Sequence, residues 1–114
     1  MPALKTVNLE EGRPSVALAS SRLLDQLRLA RQQNFAAVKV IHGYGSHGVG
    51  GELRTAIQGM LARMRESRDI AGFVAGEDWR ISDETTWRLI RKHRELKQDR
   101  DLGRCNKGIS IVVL

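Results

Sequence analysis

A short apolar run that dissolves into glycines constrains this chain more than any other stretch. Val38-Lys39-Val40-Ile41 is followed by His42-Gly43-Tyr44-Gly45-Ser46-His47-Gly48-Val49-Gly50-Gly51. The run is mostly β-branched and too short for a helix, so it reads as a strand. Beyond the glycines, Leu53, Ile57, Leu61 and Met64 recur at helical spacing and predict a helix over Glu52 to Met64. Val49-Gly50-Gly51 weaken a first turn and push that start back to about Glu52. A glycine loop between strand end and helix start suits an anion, most often a phosphate. Missing Cβ atoms let amides approach the ligand, and the helix start adds partial positive charge. The expected phosphate-binding residues are Gly43, Tyr44, Gly45, His47, Gly48, Gly50, Gly51 and Arg54.

The rest of the chain sets this loop in an alternating pattern. Ala3 to Leu9 alternate weakly as a first strand, and Pro14 suits the first turn of a helix. That helix carries Val16, Ala19, Leu23, Leu27 and Ala30 on one stripe and stops at Asn34. Ile70 to Val74 form a third short strand. A third helix begins near Asp83, carries Trp87, Leu89, Ile90 and Leu96, and ends before Gly103. Gly108 to Leu114 close the chain as a strand whose unbroken apolar run implies burial on both faces. Strand–helix alternation implies parallel strands with helices packed on the sheet.

At 114 residues this is one domain, 1–114, large enough for a core without disulfides or metal. Its single cysteine, Cys105, suits a reducing cytosol, and no segment is apolar enough for a membrane; a cytoplasmic location is the default. The net charge of +6 favours DNA or RNA as partner. Much of the excess lies between Trp79 and Lys107, where Arg88, Arg91, Lys92, Arg100, Arg104 and Lys107 are expected nucleic-acid contacts, against the plainer reading of a solvated face.

Two familiar motifs do not fit. Gly43-x-Gly45-x-x-Gly48 matches a dinucleotide fingerprint in letters, but there the helix starts within the glycines. A Walker loop needs Lys-Ser/Thr where Gly48 is followed by Val49. His42, at the strand's carboxyl end, either moves a proton or holds the loop by hydrogen bonds. Zinc on His42, His47 and Cys105 lacks a recognisable ligand spacing. No cofactor is implied. A divalent metal on Glu10, Glu11, Glu77 and Asp78 competes with the reading of solvated loop acids.

His42-Gly43-Tyr44-Gly45, the later glycines, Leu53-Arg54 opening a helix, and the closing Asn106-Lys107-Gly108 strand together resemble the Smr (small MutS-related) domain. The resemblance covers Val7 to about Val74 and the last strand, with an inserted helical segment at about 79–107. It implies an α/β fold, a βαβαββ two-layer sandwich with a mixed four-stranded sheet, similar to the C-terminal domain of translation initiation factor three. It also implies action on nucleic acid, as DNA-nicking or RNA-cleaving endonucleases, several on stalled ribosomes. The family's Leu-Asp-x-His-Gly motif at the first strand corresponds to Val7-Asn8-Leu9-Glu10-Glu11-Gly12. Asn8 cannot serve as a carboxylate base, which leaves His42 and Glu10 as the expected catalytic pair. The alternatives are a non-catalytic RNA- or ribosome-binding module and a small nucleotide-binding protein.

Overall fold

The computed structural model describes residues 2–44 and 50–114. Four strands, β1 (Leu4–Asn8), β2 (Ala37–Ile41), β3 (Gly72–Ala75) and β4 (Ile109–Val113), form one sheet in the order β1-β2-β4-β3. β1 and β2 pair in parallel, whereas β4 runs antiparallel to both β2 and β3. The last strand thus inserts between the second and third, and the sheet is mixed. Its central place accounts for the unbroken apolar run: Ile109 to Val112 are buried on both faces. The carboxyl ends of β1, β2 and β3 and the amino end of β4 share one edge of the sheet, where α/β folds place ligands.

Helices α1 (Val16–Gln32) and α2 (Gly50–Glu66) pack on one face. Ser15 caps α1 by accepting the Leu18 N–H at 3.1 Å, so Pro14 precedes the helix instead of entering its first turn. Asn34, at φ 64°, ends it in the left-handed region. α2 starts at Gly50, ahead of the expected Glu52. First-turn amides have no intrahelical partner in any helix, so glycine costs less there than in the interior. Leu23, Leu27, Ile57 and Leu61 meet Val38, Val40 and Val112 beneath the two helices. β3 begins at Gly72, leaving Ile70 buried but outside the ladder.

The second face is covered by α3 (Glu84–Lys92) and by 3-10 turns at Gly76–Asp78 and Arg94–Gln98. α3 ends at Lys92, and His93, with a φ of −134°, leaves the helix, so Leu96 is buried from a 3-10 turn and not from α3. The expected stripe also errs at Trp87, which is 42% exposed; the buried indole is Trp79. Gly76 lets its turn press on the start of β4. A Cβ there would stand 2.7 Å from the Ile109 carbonyl oxygen and against that of Asn106.

This second layer meets Leu4 of β1 but leaves Thr6 exposed. It is anchored by charge: Lys39 of β2, its side chain 5% exposed, bonds Asp99 and Asp101, each at 2.6 Å. The Trp79 indole N–H donates to Asp99 at 2.9 Å, and the Asn106 amide donates to Asp101 at 3.0 Å. Burial raises the Asp101 pKa, but the hydrogen bonds from Lys39 and Asn106 outweigh it and hold the carboxyl below its ordinary 3.8.

Candidate functional site

Three segments converge at the shared sheet edge: the end of β1, the end of β2 with His42 and Gly43 after it, and the turn leading into β4. The backbone N–H groups of His42 and Gly43 both donate to the Gly108 carbonyl, at 2.9 and 3.0 Å. The Gly43 amide is therefore already spent, which corrects its expected role as a phosphate donor. The glycine serves a different need. Its φ is +75°, and a Cβ would stand 2.9 Å from Cδ of Glu10. Gly45, His47 and Gly48 lie outside the described residues. Gly50 and Gly51 open α2, and the Gly51 Cα faces the Tyr44 carbonyl, with 3.9 Å from a Cβ there to that oxygen.

His42 turns inward beneath α2 and is 0% exposed. Its Nδ1 lies 2.6 Å from the Gly43 carbonyl and its Nε2 2.9 Å from the Ser110 hydroxyl. A carbonyl only accepts, so Nδ1 carries the proton and Nε2 accepts from Ser110. Burial lowers the His42 pKa from 6.5, the Gly43 carbonyl works against that, and Arg54 adds to it. A neutral ring with both nitrogens engaged has none left for a substrate. The expected proton-transfer role is thus unmet in this arrangement, and the loop-holding alternative matches the geometry.

Arg54 also faces inward, on α2, with its guanidinium 2.7 Å from Glu77. That ion pair neutralises the cation expected to meet phosphate. Glu77 is accordingly committed, Asp78 lies 3.8 Å from Arg80, and Glu10 and Glu11 sit across the sheet after β1. Among the described residues no three His, Cys, Asp or Glu side chains gather to hold a metal ion. Cys105 is exposed while His42 is buried, so the zinc set does not assemble from these two.

The open part of the edge lies on the second face, where the outer layer leaves Thr6 of β1 exposed. A groove of about 520 Å³ runs there over Thr6, Lys39 and Ile41, with Arg100, Asp101 and Asn106 as its wall. Glu10, Gly43, Tyr44 and Gly108 close one end. Tyr44 is 53% exposed. Glu10 is exposed and makes no ion pair among the described residues. Of the expected basic contacts, Arg100 lines this groove, Lys107 precedes Gly108, and Arg104 is exposed on the same turn. Arg88 and Lys92 sit elsewhere, beside Gly72 and Val113 at the opposite end of the strands, with Arg88 paired to Glu84. Arg91 is exposed on the same helix. The basic segment does not form one continuous track.

The model of the Smr domain family matches residues 13–80, more than half of the chain. The chain belongs to the Smr domain family. This is a nucleic-acid-binding and nuclease-associated group of domains. The crystal structure of the Smr domain of Thermus thermophilus MutS2 is similar, with a TM-score of 0.59 over 96% of each chain at 22% identity. At that identity the likeness is one of fold. No curated protein matches the chain. No helix among the described residues of this Smr domain is long and apolar enough to cross a membrane. Asn8 has a local role: its side-chain oxygen accepts the Glu10 N–H at 2.9 Å and turns the chain out of β1.

Sequence reading missed Lys39, Asp101 and Asn106, which line the groove, and Asp99, which holds Lys39 beside them. A lysine inside an apolar strand was their one visible signal, because such a charge is buried only with a partner.

Proposed function

We propose that this Smr domain is a non-catalytic nucleic-acid-binding module that holds its ligand in the groove at the carboxyl ends of β1 and β2. The observation that carries this reading is the groove itself. It is open, it lies at the edge where α/β sheets take ligands, and Arg100 lines it while Lys107 lies between its lining residues Asn106 and Gly108. The net charge of +6 supports a polyanionic partner. The locked, neutral His42 and the turn-forming Asn8 favour binding over cutting.

Fluorescence anisotropy with labelled single-stranded and duplex RNA and DNA tests the proposal. Affinity falls steeply between about 50 and 200 mM salt if phosphates are neutralised. The Arg100→Ala, Lys107→Ala double variant flattens that slope by roughly two ion equivalents. Affinity indifferent to salt, or no binding to any of the four ligands, refutes it.

One observation favours a second reading, strand cleavage: the exposed Glu10 carboxylate at the groove end is free to accept a proton from a nucleophile. Cleavage of labelled substrate by the parent protein but not by Glu10→Gln supports this reading. Intact substrate with both proteins leaves the binding module.

A further inference from the structure

We infer that the groove accepts one unpaired guanine nucleotide, with the base against Tyr44 and its Watson–Crick edge on the Glu10 carboxylate. The inference rests on the nucleic-acid reading of the same groove and names what enters it.

Charge decides which part of the ligand goes where. Glu10 presents its carboxylate over Gly43 without a cation among the described residues, and the Gly43 N–H is occupied by Gly108. A phosphate at that end would meet an uncompensated negative charge and find no free amide on Gly43. A base edge with N–H donors meets two acceptor oxygens instead. Guanine alone among the four common bases places two donors side by side there, N1–H and the 2-amino group. Adenine, cytosine and uracil put an acceptor beside each donor. The other acid in the wall, Asp101, is consumed by Lys39 and Asn106 and does not compete.

Size and surroundings agree. A volume of about 520 Å³ falls within the range of small-ligand sites, roughly 300–1,000 Å³, and fits a nucleotide. Tyr44 comes up against the main chain of Gly108, where a Cβ would sit 3.5 Å from Cδ1, and leaves half its surface exposed for stacking. Arg100, further along the wall, is placed for the phosphate of the same nucleotide. A paired guanine has its N1–H and 2-amino donors engaged with cytosine, so the ligand must be unpaired.

The test compares a short labelled oligouridine carrying one central guanosine with the same oligomer carrying inosine, which lacks only the 2-amino group. The guanosine oligomer is expected to bind roughly tenfold more tightly, the worth of one hydrogen bond to a charged acceptor. Glu10→Gln closes that gap, Tyr44→Ala weakens the guanosine oligomer, and annealing the complementary strand removes the guanosine advantage. Equal affinity for guanosine and inosine oligomers, with steep salt dependence intact, overturns this inference and leaves the binding module standing. Absence of salt-dependent binding to these oligomers and to single-stranded and duplex RNA and DNA alike overturns both.

Discussion

The two faces of the sheet are held by different chemistry. Under α1 and α2 the contact is apolar throughout, Leu23, Leu27, Ile57 and Leu61 against Val38, Val40 and Val112, with one polar knot of His42 and Ser110 at its edge. On the other face Trp79, Ile90 and Ile111 also make an apolar cluster, but it is pinned to β2 through Lys39 and two aspartates. Burial of hydrocarbon is non-directional and lets helices settle where shape allows. Buried ion pairs demand particular distances, so they fix where residues 99–108 stand relative to β2. Arg100, Asp101, Asn106 and Gly108 among them line the groove. The apolar face supplies stability, and the charged face supplies the site's shape.

Removing the cation breaks the contrast most sharply. Lys39→Met leaves Asp99 and Asp101 buried without a counter-charge, which costs about 3–5 kcal/mol in urea unfolding. Replacing all three, Lys39→Met with Asp99→Asn and Asp101→Asn, recovers much of that loss, because buried ion pairs are often matched by neutral groups of similar shape. If the single variant unfolds at the parental midpoint, the network is no anchor. On the apolar face, Leu61→Ala removes buried methyl groups and costs about 2–4 kcal/mol, with no neutral partner able to restore it. A second-site rescue there as complete as the one at Lys39 would erase the distinction between the faces.

The same difference explains what the sequence disclosed. Leu53, Ile57 and Leu61 announced α2 because one-sided burial repeats with the helical period, and Ile109 to Val112 announced a central strand because both faces are covered. The second layer has no such period. The spacing predicts one long helix, but His93 breaks it after nine residues, and Trp87 of the expected stripe is exposed while Trp79 is buried. Polar networks join residues about sixty apart in sequence, as Lys39 does with Asp99 and Asp101, and no local window contains both ends. At the candidate site, the glycines follow β2 at the edge where its carboxyl end lies. They could not reveal that Gly108 occupies the Gly43 amide or that Glu77 neutralises Arg54, since both partners arrive from later elements.

The polar knot on the apolar face offers a pH test. Burial holds the folded pKa of His42 below 6.5, so the unfolded chain takes up a proton first as pH falls. The stability associated with neutral His42 is complete above pH 6.5 and is lost progressively as pH drops from there through the lowered folded value. Thermal midpoints measured across that window should fall for the parent and fall less for His42→Asn, whose side chain does not titrate. Identical pH slopes for both proteins would mean that the imidazole is not held neutral.

The smallest expected effect belongs to the start of α3, and it asks how the second layer begins. Nine residues are too few for a helix to persist on its own in water. α3 buries only Thr86, Leu89 and Ile90, so its first turn depends on Asp83. That carboxylate accepts the Thr86 N–H at 3.0 Å and lies 3.0 Å from the Thr86 hydroxyl, which also lies 3.1 Å from the Asp78 carbonyl. Asp83 thereby caps the helix, and the Thr86 hydroxyl ties it to the turn after β3. Asp83→Ala should cost about 1 kcal/mol, whereas Asp83→Asn, which retains an acceptor, should cost less. The loss should be local, because Lys39 anchors the layer farther along the chain. Hydrogen exchange therefore rises first at amides of α3 and leaves those of β4 protected. Equal acceleration in β4 would show that the cap and the ion pairs hold the layer as one unit, and the division between an apolar base and a separately pinned wall would no longer describe this sheet.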